Sequence, residues 1–157
     1  MITDQNLRLC TELDIGELGN NATQLTDVVD LGLARDIGEG RPLYLYFGVK
    51  EAFAGLTSLE TQVLVDVTTD FDGSTGDSDP TIIFSTGAVA VADIPTAFAV
   101  PIPPQLFSTG KRYLAVKFVC VGDPTAGQIT VDMVLDIQDG KKFYASGFTV
   151  MDGTETA

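Results

Sequence analysis

Gln128-Ile129-Thr130-Val131-Asp132-Met133-Val134-Leu135-Asp136-Ile137-Gln138 has apolar residues at every odd position and mostly polar residues between them. Successive side chains of an extended strand point to opposite faces, so a period of two predicts a strand with one face on a core and one in water. Two further stretches read the same way. Leu43, Leu45, Phe47 and Val49 share one face of an extended segment, with Tyr44 and Tyr46 on the other. In Arg112-Tyr113-Leu114-Ala115-Val116-Lys117-Phe118, Leu114, Val116 and Phe118 face inward.

Weaker strands are predicted at Thr26–Leu31, Thr61–Val67, Thr81–Ser85 and Phe98–Ile102, with short terminal strands at Leu7–Cys10 and Phe148–Val150. Turn signals separate them: Gly38-Glu39-Gly40, Asp72-Gly73, Pro103-Pro104, Gly122-Asp123-Pro124 and Asp139-Gly140. Leu13–Leu25 is polar and Gly-rich and reads as a loop with at most one helical turn. No long segment carries a helical period. The expectation is an all-β fold, an antiparallel β-sandwich or barrel of about eight strands, for which a jelly roll is a natural solution. Without a repeat or a linker, residues 1–157 read as a single domain with short terminal arms.

At 157 residues a domain buries about 70% of the surface its unfolded chain exposes, so it needs neither disulfide nor metal to fold. The net charge of −13 makes nucleic acid and anionic membranes poor partners, because both require clustered basic residues. The same charge favours solubility and opposes self-association unless apolar contacts overcome the repulsion. Cys10 and Cys120 sit in apolar runs and read as buried free thiols of a reducing compartment, a Cys10–Cys120 disulfide being the alternative. The N-terminal stretch has no basic and apolar signal regions, so no signal peptide is expected, and the sequon at Asn21 reads as accidental.

Catalytic chemistry finds little material. The chain has no histidine, which removes Ser-His-Asp triads, Cys-His pairs and histidine-bearing zinc sites. Ser108 and Lys111 are a weak Ser–Lys arrangement. Asp132 and Asp136 fall on one strand face about 13 Å apart, beyond the ~5–9.5 Å of glycosidase carboxylates, and read as a solvated face. The acidic loop Asp70-Phe71-Asp72-Gly73-Ser74-Thr75-Gly76-Asp77-Ser78-Asp79 offers oxygen ligands for calcium but lacks the glycine position and closing glutamate of an EF-hand, and reads as a solvated connection. No glycine-rich phosphate loop follows a strand. The expectation is a protein that is not an enzyme and has no catalytic, cofactor or metal site.

Several stretches together resemble one family. These are Val29-Asp30-Leu31-Gly32, Arg35-Asp36-Ile37-Gly38-Glu39-Gly40 and Pro42-Leu43-Tyr44-Leu45, followed by Pro101-Ile102-Pro103-Pro104 and Arg112-Tyr113-Leu114. Gly127-Gln128-Ile129-Thr130 running to Gln138, and the ending Tyr144-Ala145-Ser146-Gly147-Phe148-Thr149-Val150, complete the set. In this order they are similar to the jelly-roll capsid cement (decoration) proteins of Bordetella-phage-type tailed bacteriophages. The chain departs from the family in its longer acidic loop and in the residues after Val150.

The resemblance implies a homotrimer on the outer surface of a phage head, made in the bacterial host cytoplasm, that clamps neighbouring copies of the major capsid protein. Candidate subunit or capsid contacts are Arg35, Asp36, Arg41, Tyr44 and Tyr46. Arg35, Asp36 and Arg41 either pair with a neighbour or brace their own Gly-rich turn. Tyr44 and Tyr46 either line an interface, where tyrosine is favoured, or lie beneath the terminal segments. The alternative function is a carbohydrate-binding module on the virion surface, with Tyr44, Tyr46, Phe71 and Tyr113 as the available aromatic platform.

Overall fold

The computed structural model describes residues 8–32, 43–71, 80–102 and 111–134. Eight strands form one continuously hydrogen-bonded antiparallel sheet: β1 (Arg8–Asp14), β2 (Thr23–Leu25), β3 (Val29–Asp30), β4 (Leu43–Asp66), β5 (Thr81–Ser85), β6 (Val89–Ala90), β7 (Ala97–Ile102) and β8 (Tyr113–Val134). A single 3-10 turn at Val91–Asp93 links β6 to β7.

β4 and β8, of 24 and 22 residues, pair with each other along their length. Straight strands of that length would span about 75 Å. Instead the β4–β8 register slips at four places between Val49 and Ser58, and both strands fold over there. Asp27 N–H donates to Leu9 C=O at 3.0 Å. Their neighbours on β8, Val116 and Val131, would lie about 50 Å apart on a straight strand.

The fold-over makes two layers. One contains β1, the second half of β8, the first half of β4, and β7. The other contains β2 with β3, the first half of β8, the second half of β4, and β5 with β6. Counted as eight runs in chain order, the layers read 1-8-3-6 and 2-7-4-5, the strand order of a jelly roll.

Gly122-Asp123-Pro124 therefore does not end a strand as its composition suggests. Partners pass from Leu56↔Gly122 to Ala54↔Ala126, leaving residues 123–125 as a bulge inside β8. Pro124 has no N–H to give a ladder and sits where the ladder is already interrupted. Gly55 faces it with φ +78°, and a Cβ there would lie 2.1 Å from Asp123 O, so only glycine fits. For the same reason Leu43–Val49 and Thr61–Val67, which read as separate strands, fall on one strand, which ends a residue earlier at Asp66. Leu13–Leu25, read as a loop, contains the end of β1 and the whole of β2.

Leu45, Phe47, Leu114, Val116, Phe118, Ile129 and Val131 form the core between the layers, joined by Leu9 of β1. Phe47 stacks on Phe98 of β7 with ring centroids 4.4 Å apart. Cys10 and Cys120 are buried and unpaired, and burial pushes the Cys10 thiol up to about 11 and raises that of Cys120.

The wet face expected for the Gln128 strand is not found over its described part. Thr130, Asp132 and Val134 are buried along with Ile129, Val131 and Met133. β1 lies along one side of this half of β8 and β4 along the other, and Arg8 of β1 reaches over to Asp132. Residues 135–138 lie outside the described residues.

Candidate functional site

Tyr44 and Tyr46 project from the face of β4 opposite Leu43, Leu45 and Phe47, as their alternation requires, and both are half-buried. In register, Tyr46 lies between Ala99 of β7 and Asp132 of β8, and Tyr44 between Pro101 and Val134. This row continues to β1, where Arg8 stands opposite Asp132.

Asp132 does not lie in water as its place in the alternation predicts. It is 6% exposed, and Arg8 Nε donates to its Oδ1 at 2.9 Å. The partner comes from 124 positions away, which period-two reasoning cannot see. Asp136 lies outside the described residues. Arg8 also reaches Thr11 Oγ1 at 3.4 Å.

Beside this pair an open cleft of about 470 Å³ is lined by Arg8, Glu12, Tyr46, Lys50, Thr130 and Asp132, among others. Gly48 keeps space open next to the Tyr46 ring, since a Cβ there would meet Tyr46 Cε1 at 3.5 Å. Thr130 Oγ1 is buried and has no hydrogen-bond partner among the described residues. The cleft gathers Arg8 and Lys50 with Glu12 and Asp132, a locally balanced set in a chain of net charge −13.

The other candidates fall elsewhere. Arg35, Asp36, Arg41 and Ser108 lie outside the described residues. Lys111 Nζ is 3.5 Å from Oδ1 of Asp66, a carboxylate almost wholly buried, so its charge is committed to an ion pair. Phe71, a supposed exposed aromatic, is buried with Leu64 and Ala115 in a small cluster on the outer side of the second layer, because the chain folds back over that face after β4. Residues 72–79 of the acidic loop lie outside the described residues. Among the described residues no group of three or more acidic or thiol side chains could hold a metal ion. No helix there is long and apolar enough to cross a membrane.

Tyr113 is also engaged. The Arg112 guanidinium lies 5.2 Å from its ring centroid and grips Asp30 with Nε to Oδ1 at 2.6 Å and Nη2 to Oδ2 at 2.5 Å. The hydrogen bonds from Arg112 and from the Gly32 N–H hold the Asp30 carboxyl down at about 2. This clamp ties β3 to the start of β8. It joins two of the stretches that carry the family resemblance, Val29–Gly32 and Arg112–Leu114.

These features define a class: an eight-stranded antiparallel jelly-roll sandwich with a half-buried tyrosine row and a charge-balanced cleft on one outer face. The chain belongs to the Bbp16 family, a Bordetella phage protein family, whose model matches residues 19–133. That span runs from the turn before β2 through all but the last residue of β8 and so takes in every strand but β1. The chain is thus phage-related. No curated protein matches it.

Proposed function

We propose that this protein is a non-enzymatic cement (decoration) protein that binds the outer surface of a phage head as a homotrimer and stabilises the major capsid protein shell. The observation that carries the reading is the Bbp16 match across β2 to β8 of the jelly roll, beside the resemblance of its ordered motifs to phage cement proteins. A closed sandwich with its core on both layers suits a part that must persist on a particle. Three copies docked together gain by multivalency, so each shell contact can be weak while the assembly is long-lived. The tyrosine row at Tyr44 and Tyr46, with Arg35, Asp36 and Arg41, supplies the candidate contacts with subunits or shell. The strong negative charge keeps unassembled copies soluble and away from DNA.

The test is made on purified heads with and without the protein. Heads lacking it should form but rupture earlier on heating or in low salt, and native heads should carry it in stoichiometric amounts. Its absence from purified native heads would sink the proposal. Glycan binding is a second reading, favoured by the Tyr46 ring at the edge of the polar cleft. A glycan array without a hit disposes of it.

A further inference from the structure

The sandwich has two flanks of opposite character. β1, β2 and β3 all pair with β8 on its side away from β4, and residues 8–32 carry Arg8 against five acids, Glu12, Asp14, Glu17, Asp27 and Asp30. β5, β6 and β7 all pair with β4 on its side away from β8. Residues 80–102, which make this second flank, carry one charge, Asp93, although a fifth of the whole chain is charged. Burial does not account for this neutrality. Thirteen of the 23 residues are exposed, including Ile82 at 52%.

We propose that this neutral flank, residues 80–102, is the surface by which one copy of the chain meets the next. The inference deepens the homotrimer reading above and rests on it for the copy number, but not on binding to a shell.

Charge selects the occupant. Two bodies of net charge −13 repel over most of their surfaces, and contact costs least where each presents the fewest charges, here Asp93 of the flank itself and Glu60 beside Ser85. Another copy of this chain brings a matching neutral flank, whereas an unrelated charged partner would find nothing here to pair with. β5 and β7 have no strand partner on their outer sides among the described residues. Thr81-Ile82-Ile83-Phe84-Ser85 is β-prone and has no lysine or proline within it, its one interruption being a bulge at Ile83.

A ring of three needs a heterologous contact, with two different features meeting across each interface. The flank carries such a pair. Ile82 stands exposed on β5 at the rim of an outer-face pocket that it shares with Leu64, Phe71 and Lys117, and an apolar cavity of about 190 Å³ opens between β6 and β7, lined by Leu59, Val89, Ile94, Pro95, Phe98 and Ile129. The polar groups at its edge are spent internally: Thr86 Oγ1 accepts from Thr61 N–H at 3.0 Å and donates to Gly87 C=O at 2.8 Å.

The test compares the full chain with Ile82→Asp, Ala99→Asp and a control on the opposite flank, the exposed Asn20→Asp. Mass is read by light scattering across the micromolar range and fold by circular dichroism and thermal melting. The wild type and the control should share an oligomeric mass. Each flank variant should keep the native spectrum and weaken association by at least about 100-fold, since each buries a like charge. Wild-type association should also strengthen with salt, because screening removes repulsion and there are no interfacial ion pairs to weaken. A wild type that stays monomeric, or flank variants that keep its mass with a native spectrum, overturns the proposal. Flank variants that keep the mass yet fail to bind purified heads overturn it too, by giving the flank to the shell. A wild-type oligomer that fails to bind heads defeats the cement reading while leaving this inference standing.

Discussion

Phe53 of β4 occupies the space that a side chain on Gly127 of β8 would need: a Cβ at Gly127 would lie 2.2 Å from Phe53 Cδ1. Gly127 also has φ +135°, a conformation open to glycine almost alone. The contact lies in the bend that turns one long ribbon into two layers. Gly127→Ala should destabilise the protein by roughly 2–4 kcal/mol in urea denaturation, from overpacking and backbone strain together. Gly87, at φ +64° with nothing near its Cβ position, is the contrast. Gly87→Ala should cost only about 1–2 kcal/mol, from backbone conformation alone. Equal losses at the two positions would show that the Phe53 contact adds nothing.

The Arg8–Asp132 pair couples β1 to β8. The Arg8 side chain is 34% exposed and that of Asp132 9%, so removing the arginine strands a mostly buried carboxylate. Arg8→Met should lose roughly 1–3 kcal/mol, less than for a fully buried pair because solvent screens the arginine. Arg8→Met combined with Asp132→Leu should recover much of that loss. A double-mutant cycle measures the coupling, and strictly additive losses would mean the two groups do not interact.

Thr130 Oγ1 is buried without a partner among the described residues, and valine has nearly the same shape. Thr130→Val should therefore raise stability by about 1 kcal/mol by removing an unsatisfied hydroxyl. A loss of stability on chemical denaturation would indicate that the hydroxyl is satisfied in solution.

Asp30 titrates at about 2, held down chiefly by its hydrogen bonds from Arg112, against an ordinary value of 3.8. A depressed carboxylate contributes stability that is fully present above the unfolded value and lost as pH falls through the folded one. The contribution of the clamp should thus be intact above about pH 4 and fade toward pH 2. Carboxyl carbon NMR should place the Asp30 midpoint near 2 in the wild type and return it toward 3.8 in Arg112→Gln. An unchanged midpoint in the variant would remove Arg112 as the cause.

Cys10, with its thiol pushed up to about 11 by burial, and buried Cys120, also raised, should resist a thiol-specific reagent at pH 8 in the folded protein. Both should react promptly once denaturant is added. Fast reaction of either thiol in the native state would contradict its burial.

Much of the core was legible in the sequence because it follows from local geometry. The alternation in Leu43–Phe47, Leu114–Phe118 and Ile129–Met133 names the inward residues without reference to any other segment, and those residues are buried. The same alternation put Tyr44 and Tyr46 together on the opposite face. The antiparallel β-sandwich followed from several such stretches separated by turn residues. A chain without histidine excludes every mechanism that needs an imidazole, whatever its fold.

Tertiary structure alone decided what covers the second face. Asp132 is buried because Arg8 arrives from β1, and Phe71 because the chain after β4 folds over Leu64 and Ala115. It also turned Gly122-Asp123-Pro124 from a strand end into a bulge within a bent strand, since Gly55 on β4 leaves room for it. Side-chain direction along a strand is local and appears in the sequence as a period of two. The covering of a face, the continuity of a strand through a bend and the open side of a sheet depend on segments remote in the chain, so only the fold brings them into view.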